Sequence, residues 1–262
     1  MSKAIANKAV GQGAGVAARV GRVASGVMTI ARRELVGLFY SPIAYVVLAL
    51  FALGSSLIFV DGFGAGAAAT MRGTFGGVVW LMIFLVPAIS MRLVSEEFRS
   101  GTIEPLMTAP ISDAQVIAGK WLGAMGFFLV LLVPLVIQAM VLEMTASPDR
   151  GPIFTGLLGL ALVGGLYLAI GIFASATTQN QIIAFLLTVF IISLLTFGMF
   201  FLPRAGFVGP GLREAMFYLN VNGQYEDFNK GLIDTSNFVY FATGIGLFLF
   251  LAVKVLESRR WR

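Results

Sequence analysis

The stretch that decides the fold covers residues 42–60, PIAYVVLALFALGSSLIFV, and holds no charged residue. A helix needs about 20 mostly apolar residues to cross roughly 30 Å of hydrocarbon in a bilayer. Ser41 suits the N-cap position and Pro42 the first helical position, so the start of the helix is marked as well. The sequence therefore predicts a membrane-spanning helix over residues 42–60.

Five further stretches have the same apolar character. They cover residues 76–93, 116–143, 153–174, 182–202 and 238–256. Each must be helical, because an open sheet edge in lipid would leave backbone N–H and C=O groups without partners. We therefore predict an all-α membrane protein in which residues 28–262 form one six-span domain.

The composition agrees with a chain whose main solvent is lipid. Of its 262 residues, 58% are hydrophobic and 12% are charged, whereas a soluble domain has about a quarter charged residues. Cysteine and histidine do not occur, which excludes disulfides, the usual zinc sites and imidazole catalysis. We expect no metal site, no cofactor and no nucleic-acid partner for this chain.

Several functional classes are disfavoured by missing motifs. The sequence has no Gly-x-x-x-x-Gly-Lys-Ser/Thr phosphate loop and no His-Glu-x-x-His metalloprotease motif. No predicted span carries a charge near its middle, although ion-coupled carriers and proton pumps usually need one. We therefore expect no catalytic residues, and interpret the chain as a passage or gate whose energy comes from elsewhere.

The distribution of lysine and arginine predicts the orientation. If the N-terminus lies inside the cell, the inner segments hold thirteen of the 18 basic residues. Positive charge is enriched in inner loops of membrane proteins, so both termini are predicted to be cytoplasmic. Residues 1–27 then form a flexible basic tail, with a transit peptide as the alternative. The next stretch, to residue 40, predicts an amphipathic helix on the inner surface, with the charged residues Arg32, Arg33 and Glu34.

The inner segment between the second and third spans is the most informative part of the chain. Gly101 ends one helix, Pro105 is tolerated only in the first turn of another, and Pro110 closes it. A short helix over residues 102–108 is therefore predicted, and Ser112 with Gln115 forms a capping box that opens the third span. The apolar face of this short helix consists of Ile103, Leu106 and Met107. It is either an ordinary surface loop or the docking point of a partner protein.

The remaining features concern helix packing and the predicted outer face. Gln138 is expected to form a hydrogen bond between helices, and Pro134 to kink or hinge the third span. Residues 203–237 form the largest outer segment, with a possible short helix over residues 212–219. This segment either dips back toward the membrane or caps the outer face.

Three groups of residues form a recognisable set. The inner segment contributes Glu97, Arg99, Ser100, Gly101, Thr102, Glu104, Leu106 and Pro110, followed by Gly119 and Lys120. The N-terminal group is Arg33-Glu34-Leu35 with Ser41-Pro42-Ile43-Ala44-Tyr45. The C-terminal group is Glu226-Asp227-Phe228-x-Lys230-Gly231-x-Ile233-Asp234 with residues 255–261, VLESRRW. Together these residues resemble the permease subunits of type-2 ABC exporters, in the branch of gliding-motility-associated permeases, over about residues 28–262.

The resemblance implies a machine with several subunits in a bacterial inner membrane. The chain would form a homodimer, or a heterodimer with a related permease, bound to two ATPase subunits that carry ATP and magnesium. Residues 102–108 would be the coupling helix seated in a groove of the ATPase, and residues 28–40 the connecting helix with Arg32, Arg33 and Glu34. Closure of the ATPases would push on the coupling helix and rotate the second and third spans. The expected coupling residues are Glu97, Arg99 and Glu104 at the rim and Ile103, Leu106 and Met107 in the groove. The set also includes Gly101, Thr102, Pro105 and Pro110.

Other functions stay open on the sequence alone. The chain could transmit force from the ATPase to an extracytoplasmic auxiliary protein without moving a solute. It could also serve the maturation of a copper enzyme, although a chain without cysteine and histidine is poorly suited to handle the metal itself. A membrane enzyme is disfavoured because no set of nucleophile and base is visible. The transported substrate is not indicated by any motif.

Overall fold

A computed structural model describes residues 24–62, 69–101, 112–204 and 209–259, and within these ranges the regular structure is helical throughout. Six helical stretches of the described residues, some of them made of more than one helix, are long and apolar enough to cross a membrane. They are Pro42–Asp61, Arg72–Ser100, Asp113–Thr145, Arg150–Thr177, Gln181–Arg204 and Thr235–Arg259. Each of the six predicted stretches falls inside one of these helices. The prediction of an all-α, multi-pass membrane protein is therefore confirmed.

The helices are labelled in chain order. They are α1 (24–39), α2 (Pro42–Asp61), α3 (Arg72–Ser90), α4 (Ser95–Ser100), α5 (Asp113–Leu131), α6 (Val133–Thr145), α7 (Arg150–Thr177), α8 (Gln181–Ser193), α9 (Pro210–Leu219), α10 (Val221–Lys230) and α11 (Thr235–Arg259). The fifth span continues beyond α8 through a π-helical turn, Leu194–Gly198, and ends in a 3₁₀ turn, Leu202–Arg204. The first 23 residues of the predicted tail and the predicted coupling helix lie outside the described residues.

Helix α7 lies at the centre of the bundle. It packs against α3, α5, α8, α10 and α11. Of the residues in its most apolar stretch 72% are buried, compared with 22% in each of the spans formed by α2, α8 and α11. Close approach is possible because α7 has glycines at its contacts: a Cβ atom at Gly164 would collide with the Phe128 ring, and one at Gly171 with the Ser90 hydroxyl. The apolar faces of the three outer spans are exposed in the isolated chain.

The third span consists of two helices. Ser112 caps the start of α5, and the reciprocal bonds with Gln115 form the capping box predicted from the sequence. Helix α5 ends at Leu131 and α6 begins at Val133, because Pro134 cannot supply the backbone N–H that a continuous helix would need. The predicted kink is thus a break between two helices. The Gln138 amide donates to the Ser55 hydroxyl of α2 at 3.1 Å, which confirms the predicted bond between helices.

The segment between the fifth and sixth spans folds back onto the bundle. Helix α9 agrees with the predicted short helix over residues 212–219 and has no buried residue. Helix α10 instead packs against α7 and α3, with Val221, Tyr225 and Phe228 buried. The Thr155 hydroxyl of α7 donates to the Phe228 carbonyl at 2.7 Å, so α10 is inserted into the bundle, while α9 stays at its surface.

A hydrogen-bonded chain joins this segment to the interior. The Asn220 side chain, between α9 and α10, donates from Nδ2 to the Thr196 carbonyl at 2.9 Å. Thr196 lies in the π-helical turn, where the usual helical ladder is interrupted. Its hydroxyl is 2.9 Å from the buried Tyr167 hydroxyl of α7. The π turn therefore links the inserted segment to the central helix.

Candidate functional site

The candidate site lies at the end of the bundle that carries Gly101 and Ser112, the described residues on either side of residues 102–111. Helix α4 leads into this segment and α5 leads out of it. The third element at the site is α1, which precedes the first span. The site is therefore built from three parts of the chain that meet beside one loop.

Helix α1 has one face turned toward the protein. Ala31 and Leu38 are buried, Glu34 is partly buried, and Arg32 and Arg33 are exposed, so the helix has the two faces predicted from the sequence. Residues spaced by three or four positions share a face of a helix, which explains this division. The helix also includes residues 24–27, which the sequence analysis placed in the tail.

Two glycines of α5 allow α1 to approach closely. A Cβ atom at Gly119 would lie 2.7 Å from the Ile30 Cβ, and one at Gly123 would lie 2.7 Å from the Ala31 carbonyl oxygen. Real Cβ atoms do not come so near to other heavy atoms, because the van der Waals contact distance between carbons is about 3.5–4.0 Å. The glycines thus set the distance between the two helix axes.

Helix α4 is held at its start by one hydroxyl of α7. Ser175 Oγ accepts hydrogen bonds from the backbone N–H groups of Val94, at 3.1 Å, and Ser95, at 2.9 Å. The same hydroxyl donates to the Met91 carbonyl at 2.9 Å. These bonds satisfy backbone groups that a helix start leaves without intrahelical partners. The turn between α3 and α4 is consequently fixed to the end of the central helix.

The far end of α4 is held by the last described turn of α11. The Arg259 guanidinium lies 4.5 Å from the centre of the Phe98 ring and also donates to the Thr177 carbonyl of α7. Helix α4 ends at Gly101, whose φ of 71° is the left-handed conformation typical of a helix C-terminus. The predicted helix stop at Gly101 is therefore confirmed, and the 102–111 segment leaves from a firmly packed base.

Lys120 joins the three elements of the site. Its Nζ atom is 2.8 Å from Glu34 Oε1 on α1 and 2.8 Å from Glu97 Oε1 on α4. The lysine is 1% exposed, so the ammonium group is withdrawn from solvent. A buried ammonium is costly unless carboxylates compensate its charge, and here two carboxylates do so. We call Glu34, Lys120 and Glu97 the ion-pair node.

The environment of Glu97 depends on this lysine. Helix α4, with the sequence SEEFRS, is polar and lies beyond the apolar part of the second span. The Lys120 ammonium lies 2.8 Å from the Glu97 Oε1 atom and compensates the charge of this mostly buried carboxylate.

A cavity of about 490 Å³ opens beside the node. Its wall includes Arg33 of α1, Ser41 and Pro42 at the start of α2, and Arg92 and Glu96 around the start of α4. The Arg92 guanidinium donates to the Ser41 hydroxyl at 2.5 Å, which ties the end of the second span to the start of the first. The described residues contain no group of three or more acidic side chains placed to hold a metal ion.

The predicted coupling residues fall into three groups. The structure brings Glu34 and Glu97 together on Lys120, while Arg32, Arg33 and Arg99 are exposed. Outside the described residues are Thr102, Ile103, Glu104, Pro105, Leu106, Met107 and Pro110. Glu97 was expected at the rim of the ATPase contact, and its side chain turns toward Lys120 with 14% of its surface exposed. The contacts of these residues with an ATPase stay predictions.

No role was predicted for Lys120 beyond its place in the resemblance. The available signal was a lysine close to the start of an apolar helix, since such residues are rare near membranes and usually have a partner. The partners could not be found from spacing, because Glu34 is 86 positions away in the chain.

The chain matches a known protein family. A family model described as "ABC-2 family transporter protein" matches residues 60–253 of the 262-residue chain. The matched region contains α3 to α10, and with them Glu97 and Lys120 of the node. No curated protein matches the chain significantly.

Proposed function

Because the chain belongs to the ABC-2 family of transporter proteins, we propose that it is the permease subunit of an exporter driven by separate ATPase subunits. Membership makes the chain a transmembrane, non-catalytic component of an ABC transporter, and such transporters work with an ATPase partner. Export as the direction of transport, and the identity of the partners, belong to the proposal.

The proposed ATPase contact is the 102–111 segment between α4 and α5. The observation that carries this proposal is the ion-pair node, since Lys120 connects the helix before the segment, the helix after it and α1. A force applied to the segment would reach all three helices through contacts of 2.8 Å. No comparable set of buried charges joins the other loops of the described chain.

The proposed movement follows from what α4 touches. Its start is bonded to α7 through Ser175, and its end packs on α11 through Arg259. A push on the loop would act on α4 against these two contacts, and Lys120 would pass the force to the first turns of α5 and to α1. The break at Leu132 would let the second half of the third span, α6, respond separately. The second and third spans are thus the moving parts.

The wider assignment follows the resemblance. We place the chain in a bacterial inner membrane with both termini in the cytoplasm, as a homodimer or a heterodimer with a related permease. Within the family we assign it to the gliding-motility-associated branch, on the residues of the C-terminal group. Identification of the subunits that co-purify with the native chain tests this assignment.

The coupling hypothesis is tested with Leu106→Asp. We expect this change to abolish co-purification of the ATPase, because a carboxylate cannot enter an apolar groove without losing its hydration. The matched control is Leu212→Asp on α9, where the leucine is 61% exposed at the opposite end of the bundle. If the ATPase still binds the Leu106→Asp protein and its activity stays coupled, the segment is not the contact.

A force-transmitting role is the second candidate, and the exposure of α9 favours it. None of the ten residues of this helix is fully buried, Met216 is half-buried, and the large side chains Leu212 and Tyr218 are exposed. Such a surface could receive an extracytoplasmic auxiliary protein. In this case Leu212→Asp would lose the auxiliary protein while keeping the ATPase, and the reconstituted complex would move no solute. Retention of both partners by this variant would argue against the second candidate.

A further inference from the structure

The cavity beside the ion-pair node lies where two spans leave the apolar layer. Its wall contains Ser41 and Pro42, at the start of the first span, and Arg92, two positions beyond the last residue of α3. The third span has 33 residues and is therefore about 50 Å long, which exceeds the roughly 30 Å of hydrocarbon, so part of it lies outside that layer. Charged side chains such as Arg92 and Glu96 are costly inside hydrocarbon, which puts the cavity at the depth of the lipid headgroups.

The wall of the cavity carries as many positively as negatively charged side chains. Three cations and three carboxylates line it: Arg33, Arg92, Lys120, Glu34, Glu96 and Glu97. Lys120 forms ion pairs with Glu34 and Glu97. The other charged residues of the wall, Arg33, Arg92 and Glu96, make no ion pair with a described residue. A simple anion would meet three carboxylates here. A ligand with both a negative and a positive group would match the wall better.

The acceptors of the wall favour a positive group that carries N–H bonds. Two glutamates share one lysine, so the node keeps an excess negative charge, and Glu97 Oε2 is buried without a hydrogen bond from the described residues. Glu96 offers an exposed carboxylate next to it. A primary ammonium can donate to such oxygens, whereas a quaternary ammonium has no N–H and is bound mainly by aromatic faces.

We propose that this cavity binds the headgroup of an ethanolamine phospholipid. Arg33 and Arg92 hold the phosphate, and Glu96, supported by the charge of Glu97, receives the primary ammonium. The exposed Tyr40 at the rim has the amphipathic character typical of the membrane interface. The proposal requires only that the chain is a membrane protein, so it stands or fails independently of the ATPase contact.

The test is lipid binding to the purified full-length chain, measured by native mass spectrometry after delipidation. Phosphatidylethanolamine, phosphatidylcholine and phosphatidylglycerol with identical acyl chains are the probes. We expect the ethanolamine lipid to bind about tenfold more tightly than either of the others, the factor associated with one charge-assisted hydrogen bond. Stronger binding of phosphatidylglycerol, or equal binding of the ethanolamine and choline lipids, would overturn the proposal.

Substitutions assign the two halves of the headgroup. Arg33→Gln and Arg92→Gln should each weaken binding of the ethanolamine lipid about tenfold, and Glu96→Gln should make the ethanolamine and choline lipids equivalent. Arg33 is exposed, so its variant stays informative if the Arg92 variant does not fold. The control is Arg150→Gln, an exposed arginine at the opposite end of α7, which should leave the preference unchanged. Unchanged binding in the Arg33 and Glu96 variants contradicts the assignment.

A soluble ligand with the same headgroup is distinguished by competition. Glycerophosphoethanolamine carries the phosphate and the primary ammonium without acyl chains. We expect it to displace the lipid only at concentrations far above those of the lipid, because it lacks the apolar contacts of the chains. Displacement at equal concentration would mean that the cavity serves a soluble phosphoethanolamine compound, and the lipid proposal would be wrong.

Discussion

At the scale of single residues, Lys120 has the largest influence on the end of the bundle that carries the 102–111 segment. Its ammonium group is within 2.8 Å of two carboxylates on different helices and is withdrawn from solvent. Removing one partner of a buried ion pair is costly because the other charges stay behind without compensation. Replacing the whole set by apolar residues removes that cost. Stability and coupling can therefore be separated experimentally at this site.

We predict that Lys120→Met lowers the free energy of unfolding by about 3 kcal/mol, the range measured when buried pairs lose one member. Glu34 and Glu97 would then repel each other in a poorly hydrated place. The measurement is equilibrium unfolding in mixed micelles. A loss below about 0.5 kcal/mol, the scale of exposed pairs, would mean that water reaches the node in solution.

The triple variant Lys120→Leu, Glu34→Leu and Glu97→Leu is the matched control. It should recover most of the stability, because no charge is left buried. We nevertheless expect it to lose the stimulation of the partner ATPase, since apolar contacts do not fix α1, α4 and α5 in one register as directional ion pairs do. Retained stimulation would show that the node is structural only.

Residue roles were only partly accessible from the sequence. The helix stop at Gly101, the capping box of Ser112 and Gln115 and the bond made by Gln138 were predicted, because each depends on local chemistry or on the scarcity of polar groups in a span. The pairing of Glu97 with Lys120 was not predicted, since it depends on how α1, α4 and α5 pack. A charged residue in a loop has the same sequence signature whether it faces a partner or the interior.

At the scale of elements, the contact between α1 and α5 is set by glycines. Gly123 has no room for a side chain, because a Cβ atom there would lie 2.7 Å from the Glu34 Cβ. Gly126, one turn further along the same face, has room: its Cβ atom would lie 3.4 Å from the nearest Leu35 atom, an ordinary contact. The two positions form a natural pair of test and control.

We predict that Gly123→Ala weakens the docking of α1 by about 1–3 kcal/mol, the usual cost of overpacking, whereas Gly126→Ala changes it little. Hydrogen exchange of the amides in residues 24–39 measures the effect, because an undocked α1 loses protection on the face that contacts α5. Equal protection in the two alanine variants would show that the helices separate without cost and that the glycines do not determine their distance.

The sequence predicted which spans form helices better than it predicted where those helices begin and end. Every predicted span lies within an observed helix, because about 20 apolar residues in lipid leave no alternative to a helix. The observed helices are longer, since polar turns such as the first turns of α5 continue the helix beyond the hydrocarbon. The insertion of α10 was left open, because its sequence VNGQYEDFNK is polar overall and only four of its side chains are buried in the bundle.

At the scale of the whole molecule, the proposed topology makes a direct prediction. The chain has no cysteine, so single cysteines can be introduced without removing any native residue of that type. In intact spheroplasts, Leu212→Cys should react with a membrane-impermeant maleimide, and Ser258→Cys should react only after permeabilisation. Both side chains are exposed, so access to solvent does not differ between them.

The opposite labelling pattern would place both termini outside the cell. It would also remove the proposed ATPase contact, because the 102–111 segment and Ser258 lie at the same end of the bundle. Labelling of both cysteines in intact spheroplasts would instead indicate a leaky preparation, which a cytoplasmic marker enzyme checks. The family assignment does not depend on this outcome.

The arrangement of the spans was the part least accessible from the sequence. All six stretches are apolar on every side, so periodicity does not reveal which face is buried or which helix is central. The small residues of α7 were the available signal, because close helix contacts in membranes need them. Gly165 illustrates this: its carbonyl accepts a hydrogen bond from the Trp121 indole at 2.9 Å, and its Cα faces Ile245 of α11.

The distance in sequence between the partners of Lys120 has a consequence for biosynthesis. Glu34 is made 86 residues before the lysine that binds it, which corresponds to roughly 4–17 seconds at 5–20 residues per second. During this time α1 lacks the surface of α5 against which it packs in the folded chain. Its amphipathic face must then rest on the lipid surface. The nascent chain thus uses the bilayer as a temporary partner until the third span emerges and takes over.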